Sequence, residues 1–233
     1  MSPPEFNAFS FQHVVTLGLI AALCILLVRV LAKIAPRKRK WVGRAIAFSL
    51  IAYTAVFYVQ QYAAGSLDVR YSLPLELCNL VLAACVLSLF LPGRIWREIT
   101  YFWGLGGAVQ ALLTPDLGEG FPSWNFFLFF WSHGALLLGV VFILAATDFK
   151  PERKSVLRMM LALNLYAAVV GALDWITGWN YGYLCRKPAV PSLLDFLGPW
   201  PWYILSLEGV ALLTFLLLYW GYKTLNQWTL SSE

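Results

Sequence analysis

Apolar residues run in seven long stretches along this chain, at about 11–35, 42–63, 72–91, 96–114, 123–147, 154–176 and 199–222, parted by short polar or basic connections. A helix that crosses the hydrocarbon core needs about 20 mostly apolar residues. The pattern therefore predicts an all-α polytopic membrane protein, a single domain of seven transmembrane helices over residues 1–233. Directly after the first stretch comes Pro36-Arg37-Lys38-Arg39-Lys40. A cleavable signal peptide carries its charge ahead of the apolar run, so the reversed order predicts a retained first helix. No repeat of 20–50 residues is visible, and seven spans do not divide into equal inverted halves, which counts against an inverted-repeat transporter. The tail Ser231-Ser232-Glu233 carries no argument.

Composition narrows the class. Hydrophobic residues make up 60% and charged residues 12%, against about a quarter charged in soluble proteins, and the mean hydropathy is +0.69. A soluble fold of this size leaves too much surface wet to hide that apolar content. Disorder, a secreted disulfide scaffold and a soluble Rossmann or barrel enzyme are excluded. The net charge of +5 needs no nucleic acid, because basic residues collect in cytoplasmic loops. Of the 17 lysines and arginines, all but Arg70, Arg186 and Lys187 fall on one side of the predicted spans. That bias predicts the N-terminus outside, the C-terminus inside, and loops 64–71, 115–122 and 177–198 outside.

Ionisable and polar groups inside a membrane are costly, so each is a candidate for function. The third span holds Glu76, Cys78, Asn79 and Cys85, the fourth Gln110, the fifth His133, the sixth Asn164 and Asp174, and the seventh Glu208; Asn180, Tyr181, Lys187 and Asp195 follow the sixth. At about 1.5 Å per residue, Cys78 lies roughly 9 Å and His133 roughly 15 Å from the outer ends of their spans. The cluster predicts a cavity in the outer half of the bilayer, opposite the basic loops. In the third span Glu76 and Asn79, three apart, share one face, and Cys78 and Cys85, seven apart, share another.

Several readings stand side by side at this level. Cys78 and His133 are a candidate nucleophile and base, or a packed small residue and a hydrogen-bonded imidazole. A Cys78–Cys185 disulfide across the outer loop is a third. Cys24 reads as packed or lipid-facing, and His13 as interfacial. Two histidines so far apart give no zinc spacing. Asp174, Asn180 and Lys187 read equally as solvated loop residues, whereas Glu208, deep in the last span, needs a partner or a proton. Gly198-Pro199-Trp200-Pro201-Trp202-Tyr203 reads as an aromatic anchor at the start of the last helix, or as a rigid wall for an acyl chain or headgroup.

Four segments carry a resemblance: Leu73-Pro74-Leu75-Glu76-Leu77-Cys78-Asn79-Leu80, Trp131-Ser132-His133-Gly134, Asn180-Tyr181-Gly182-Tyr183-Leu184 with Lys187-Pro188, and Gly198-Pro199-Trp200-Pro201-Trp202-Tyr203. In register along nearly the whole chain, they resemble the YwaF family of bacterial seven-span integral membrane proteins. That family is similar to a eukaryotic seven-span enzyme that moves polyunsaturated acyl chains between phospholipids to form ether-linked products. The resemblance implies an acyl-thioester cysteine at Cys78, a catalytic histidine at His133, and residence in the bacterial cytoplasmic membrane. One position departs, since Glu76 stands where relatives often carry histidine. The expectation is a phospholipid acyltransferase or acyl hydrolase working on a phospholipid or lysophospholipid in the outer leaflet. Asn79 or Asn180 orients the imidazole or meets the oxyanion, Lys187 meets the lipid phosphate, and no metal, cofactor, nucleic acid or oligomer is required. A lipid or amphiphile sensor with a GPCR-like outline is the first rival, and a small transporter or channel the second.

Overall fold

Proline sets where the first two helices divide. Helix α1 (Phe11–Lys33) opens with the Ser10 hydroxyl accepting from the His13 amide. It stops at Ile34, and Ala35 is extended, the conformation forced on a residue ahead of proline. Pro36 then starts α2 (Pro36–Ala63) at the first helical position, where its missing N–H costs nothing. The basic run is thus the first turn of α2 and not a connecting loop, and α2 starts six residues before the expected 42. The computed structural model describes residues 4–188 and 193–231, with the backbone alone at 193 and 226–231. Ser232 and Glu233 of the tail, and 189–192 of the 177–198 loop, lie outside the described residues.

The expected third span is where the structure departs most. A single turn, α3 (Val69–Ser72), is capped by Asp68 and ends at Leu73 in extended conformation, because Pro74 follows and cannot donate into a helix. Helix α4 begins only at Leu77 and runs to Phe90, 14 residues. Glu76 therefore sits in the turn ahead of the helix, its carbonyl accepting from the Asn79 and Leu80 amides. The shared face expected for Glu76 and Asn79 does not exist. The fourth stretch is a broken helix, α5 (Arg94–Ile99), a buried π-helical turn (Thr100–Gly104) and α6 (Leu105–Leu113). Three long helices complete the chain: α7 (Trp124–Ala146), capped by Ser123, α8 (Arg153–Thr177), with a Glu152–Ser155 capping box, and α9 (Trp202–Ser231).

Five helices, α1, α2, α7, α8 and α9, are long and apolar enough to cross a membrane, and α4 is a shorter apolar one. The chain forms two compact units, Met1–Leu67 with Val81–Lys150, and Asp68–Leu80 with Pro151–Glu233. In the first unit α7 is the central helix. Of its apolar window 56% is buried, against 22% or less for the other long helices, and it packs on α1, α2 and α6. Small residues permit the close approach: a Cβ on Gly134 would press on Ile20, one on Gly43 would strike Phe142, and one on Gly139 would overlap Sγ of Cys85. In the second unit α8 packs along α9. Leu157, Leu161, Leu165 and Val169 leave α8 in an exposed row, an apolar surface suited to lipid.

Candidate functional site

The second unit gathers most of the polar positions around the turn that precedes α4. Tyr181, only 1% exposed, donates its hydroxyl to the Val69 carbonyl at 2.6 Å and accepts from the Leu73 amide at 3.0 Å. The Tyr166 hydroxyl, from α8, donates to the Leu75 carbonyl at 2.9 Å. The Gly182 amide donates to Oε2 of Glu76 at 3.0 Å. Three groups far away in sequence thus hold both sides of Pro74, and with it the first turn of α4 on which Cys78 stands. Gly182 has φ of 61°, and a Cβ there would come within 2.7 Å of the Tyr166 hydroxyl, so only glycine fits.

Cys78 is exposed, Cys24 and Cys185 are half-buried, Cys85 is buried, and all four are free thiols. The disulfide alternative is thereby set aside. Around Cys78 the second unit places Glu76, Asp174 and Tyr166 within electrostatic reach of one another. Asp174 is 1% exposed, and among the described residues neither carboxylate oxygen meets a donor in full hydrogen-bond geometry, although the Tyr181 amide is near enough to act on it.

The other predicted residues have specific occupations. Asn180 spends its amide on the loop: Oδ1 accepts from the Cys185 and Arg186 amides and Nδ2 donates to the Arg186 carbonyl. It is therefore a loop-former that spends one of its two Nδ2 N–H groups on the loop and keeps the second. Lys187 lies 3.7 Å from Asp195 and over the Tyr203 ring. Glu208 has the partner its depth demands, since Nδ2 of Asn164 donates to it at 2.8 Å. In the aromatic segment Tyr203 is buried and donates to the Tyr183 carbonyl, while Trp200 donates to the Leu184 carbonyl. That segment ties the loop to α9 as well as offering Trp202 to the surface.

His133 belongs to the first unit. Its ring stacks on Phe129 at 4.2 Å, and Nδ1 lies 2.9 Å from the Phe129 carbonyl. A carbonyl only accepts, and the Ser132 hydroxyl, 3.0 Å from Nδ1, donates to that same carbonyl, so Nδ1 carries the proton and Nε2 holds a lone pair with no partner among the described residues. Nε2 is thereby the ring's open acceptor. His13 is the opposite case. It is fully buried, Nδ1 accepts from the Phe9 amide at 2.9 Å, and Nε2–H donates to the Leu112 carbonyl at 2.8 Å. Both nitrogens are occupied, and its role is structural.

Sequence reasoning missed Tyr166, Gly182 and Glu98. A tyrosine in an apolar stretch signals a hydroxyl in need of a partner, which is the clue Tyr166 offered. Glu98, fully buried, pairs with Arg94 at 2.9 Å, and Arg94 also donates to the Lys150 carbonyl; adjacent opposite charges at i and i+4 were its signal. Among the described residues no group of three or more His, Cys, Asp or Glu side chains is arranged for a metal ion.

Comparison with known proteins gives one family. Neither the curated proteins nor the solved structures provided a match. The TMEM164 family, a family of membrane proteins, matches over residues 8–219, from just before α1 to well within α9 and through both units. With that span covered, the chain belongs to the TMEM164 family.

Proposed function

We propose that this chain is a membrane-embedded phospholipid acyltransferase or acyl hydrolase that works through a thioester on Cys78. What carries the reading is the contrast among the cysteines: Cys78 alone is exposed, and it stands in the first turn of a helix. The first four amides of a helix lack helical partners. Those of Asn79 and Leu80 bond the Glu76 carbonyl, leaving those of Leu77 and Cys78 as donors for an oxyanion. The resemblance to the YwaF family and to the eukaryotic acyl-transferring enzyme belongs to the same reading. So do seven spans, with α4 and the α5–α6 segment as the third and fourth, an outside N-terminus, and an outer-leaflet site in a bacterial cytoplasmic membrane.

The chemistry is a double displacement. Nε2 of His133 takes the Cys78 thiol proton, and the thiolate attacks an ester carbonyl of a phospholipid. The tetrahedral intermediate collapses with cleavage of the ester C–O bond, the lysolipid alkoxide takes the proton from the imidazolium, and the acyl group stays on sulfur. A hydroxyl of an acceptor lysolipid, or water, then gives its proton to His133 and attacks the thioester, returning the thiol. The mechanism requires Sγ of Cys78 and Nε2 of His133 to meet. Asn79, whose side chain has no hydrogen-bond partner among the described residues, or the second N–H of Asn180, orients the imidazole or supports the oxyanion. A lipid phosphate would share the Lys187 ammonium with Asp195.

Intact-protein mass spectrometry after purification in native lipid tests this. A fatty-acyl mass that neutral hydroxylamine removes, lost in Cys78→Ala and in His133→Ala, is the expected result. Turnover or acylation that survives Cys78→Ala overturns the mechanism.

A further inference from the structure

We propose that the cleft at the α1–α2 turn binds the headgroup of an anionic phospholipid. The site lies in the first unit and is independent of the acyl chemistry. Arg37, Lys38 and Lys40 line a cleft of about 520 Å³ together with Trp41, while Val30 and Ile34 form an apolar wall. A basic rim over an apolar wall suits an amphiphile, with phosphate at the rim and glycerol and acyl carbons below.

Three observations say the anion is missing from the protein itself. No aspartate or glutamate occurs between Glu5 and Asp68, so nothing local neutralises Lys33, Arg37, Lys38, Arg39, Lys40 and Arg44, and no ion pair joins them to an acidic side chain among the described residues. Four of these cations occupy the first turns of α2, which contain no acid and no side-chain cap. That end of a helix carries the positive half of the macrodipole, where cations are unfavourable and anions are favoured. Behind the cleft, outside its lining, Nε of Arg39 is buried with no hydrogen-bond partner among the described residues, and in the lining Trp41 carries Lys40 at 5.6 Å and, from the next turn, Arg44 at 4.8 Å over its ring. A helix start that concentrates like charge around a cleft, with its aromatic clamp already set, is completed by a phosphate diester.

The test uses the full chain in phosphatidylcholine nanodiscs, with phosphatidylglycerol titrated in and the thermal midpoint followed. Saturable stabilisation is expected, with inorganic phosphate and glycerol phosphate inert at equal concentration. At about 1 kcal/mol per basic residue near an anionic surface, Arg37→Gln/Lys38→Gln/Lys40→Gln should raise the half-saturating concentration on the order of 100-fold. The equally discharged Lys150→Gln/Arg153→Gln/Lys154→Gln should change it less than about threefold on the same scale. Equal effects of the two triple variants, or full stabilisation by free phosphate, overturn the proposal. Should the first triple variant fail to fold, brominated phosphatidylglycerol decides: it should quench the wild type more than Trp41→Phe, brominated phosphatidylcholine should not, and no difference between the two lipids sinks the site.

Discussion

The backbone N–H of Gly182 donates to Oε2 of Glu76 at 3.0 Å across 106 residues of sequence. This contact explains why an acidic residue stands before α4. The carboxylate is the counter-group for a loop whose positive φ at Gly182 aims the N–H at it. Together with Tyr166 on the Leu75 carbonyl, it fixes the turn that carries Cys78.

Gly182→Ala should consequently loosen the turn. A side chain in the left-handed region costs roughly 1–2 kcal/mol, and the added Cβ also displaces the Tyr166 hydroxyl. A drop of about 5 °C or more in the unfolding midpoint is expected, with faster proteolysis at 68–80. Glu76→Gln keeps an acceptor for Gly182 and should lose much less than Glu76→Ala. Equal losses for the two would mean that charge, not the hydrogen bond, is what matters.

Cys85 is buried against Gly139, where a Cβ would overlap its sulfur. Gly139→Ala should therefore destabilise by about 1–3 kcal/mol through overpacking. Cys85→Ala removes the obstructing atom, so the double variant should regain most of that loss. A double-mutant cycle on thermal stability measures the coupling, and additive losses would show that α7 relieves the clash by shifting elsewhere.

Where helices run was largely legible, because apolar length dominates in a membrane protein: α1, α7 and α8 start and end within a few residues of the stretches that predicted them. What escaped was set by local backbone chemistry and distant partners. Pro74 interrupts an apolar stretch that hydropathy averages over, so Glu76 moves from a helix face to a turn and the face arithmetic fails. Pro36 was visible, but its use as a helix start placed the basic run inside α2. Asn180 looked like a free amide because the three backbone groups it bonds are invisible to composition. The buried state of His13 depends on the Leu112 carbonyl, 99 residues away. Cys78 and His133 were singled out from residue type and expected depth, whereas the Nδ1 contact of His133 with the Phe129 carbonyl came from the fold.

Cys185 gives a prediction with a pH sign. Burial pushes its thiol above the ordinary 9.0, the Asp174 charge pushes it further, and Arg186 pulls it down. The thiolate is the reactive form, so labelling by a neutral maleimide should be slow at pH 7.5 and still rising above pH 9. In a chain with Cys185 as its only cysteine, Asp174→Asn should accelerate labelling at pH 7.5, and Arg186→Gln should slow it. An unchanged rate in Asp174→Asn would mean that Asp174 carries no charge.

The two histidines should separate cleanly by substitution. His13→Ala leaves the Phe9 amide and the Leu112 carbonyl without partners, and each buried orphan costs about 1–3 kcal/mol. A midpoint lower by about 5 °C or more is expected. His133→Ala removes a ring that leans on Phe129, worth about 1 kcal/mol, but orphans nothing: the Phe129 carbonyl lies within a helix and also accepts the Ser132 hydroxyl. Its midpoint should fall by only about 2–4 °C, while hydroxylamine-sensitive acylation of Cys78 disappears. His13→Ala, assayed at a temperature where it stays folded, should keep that acylation. If His133→Ala instead destabilised as much as His13→Ala and left the thioester intact, His133 would be a packing residue and the base would have to be sought elsewhere.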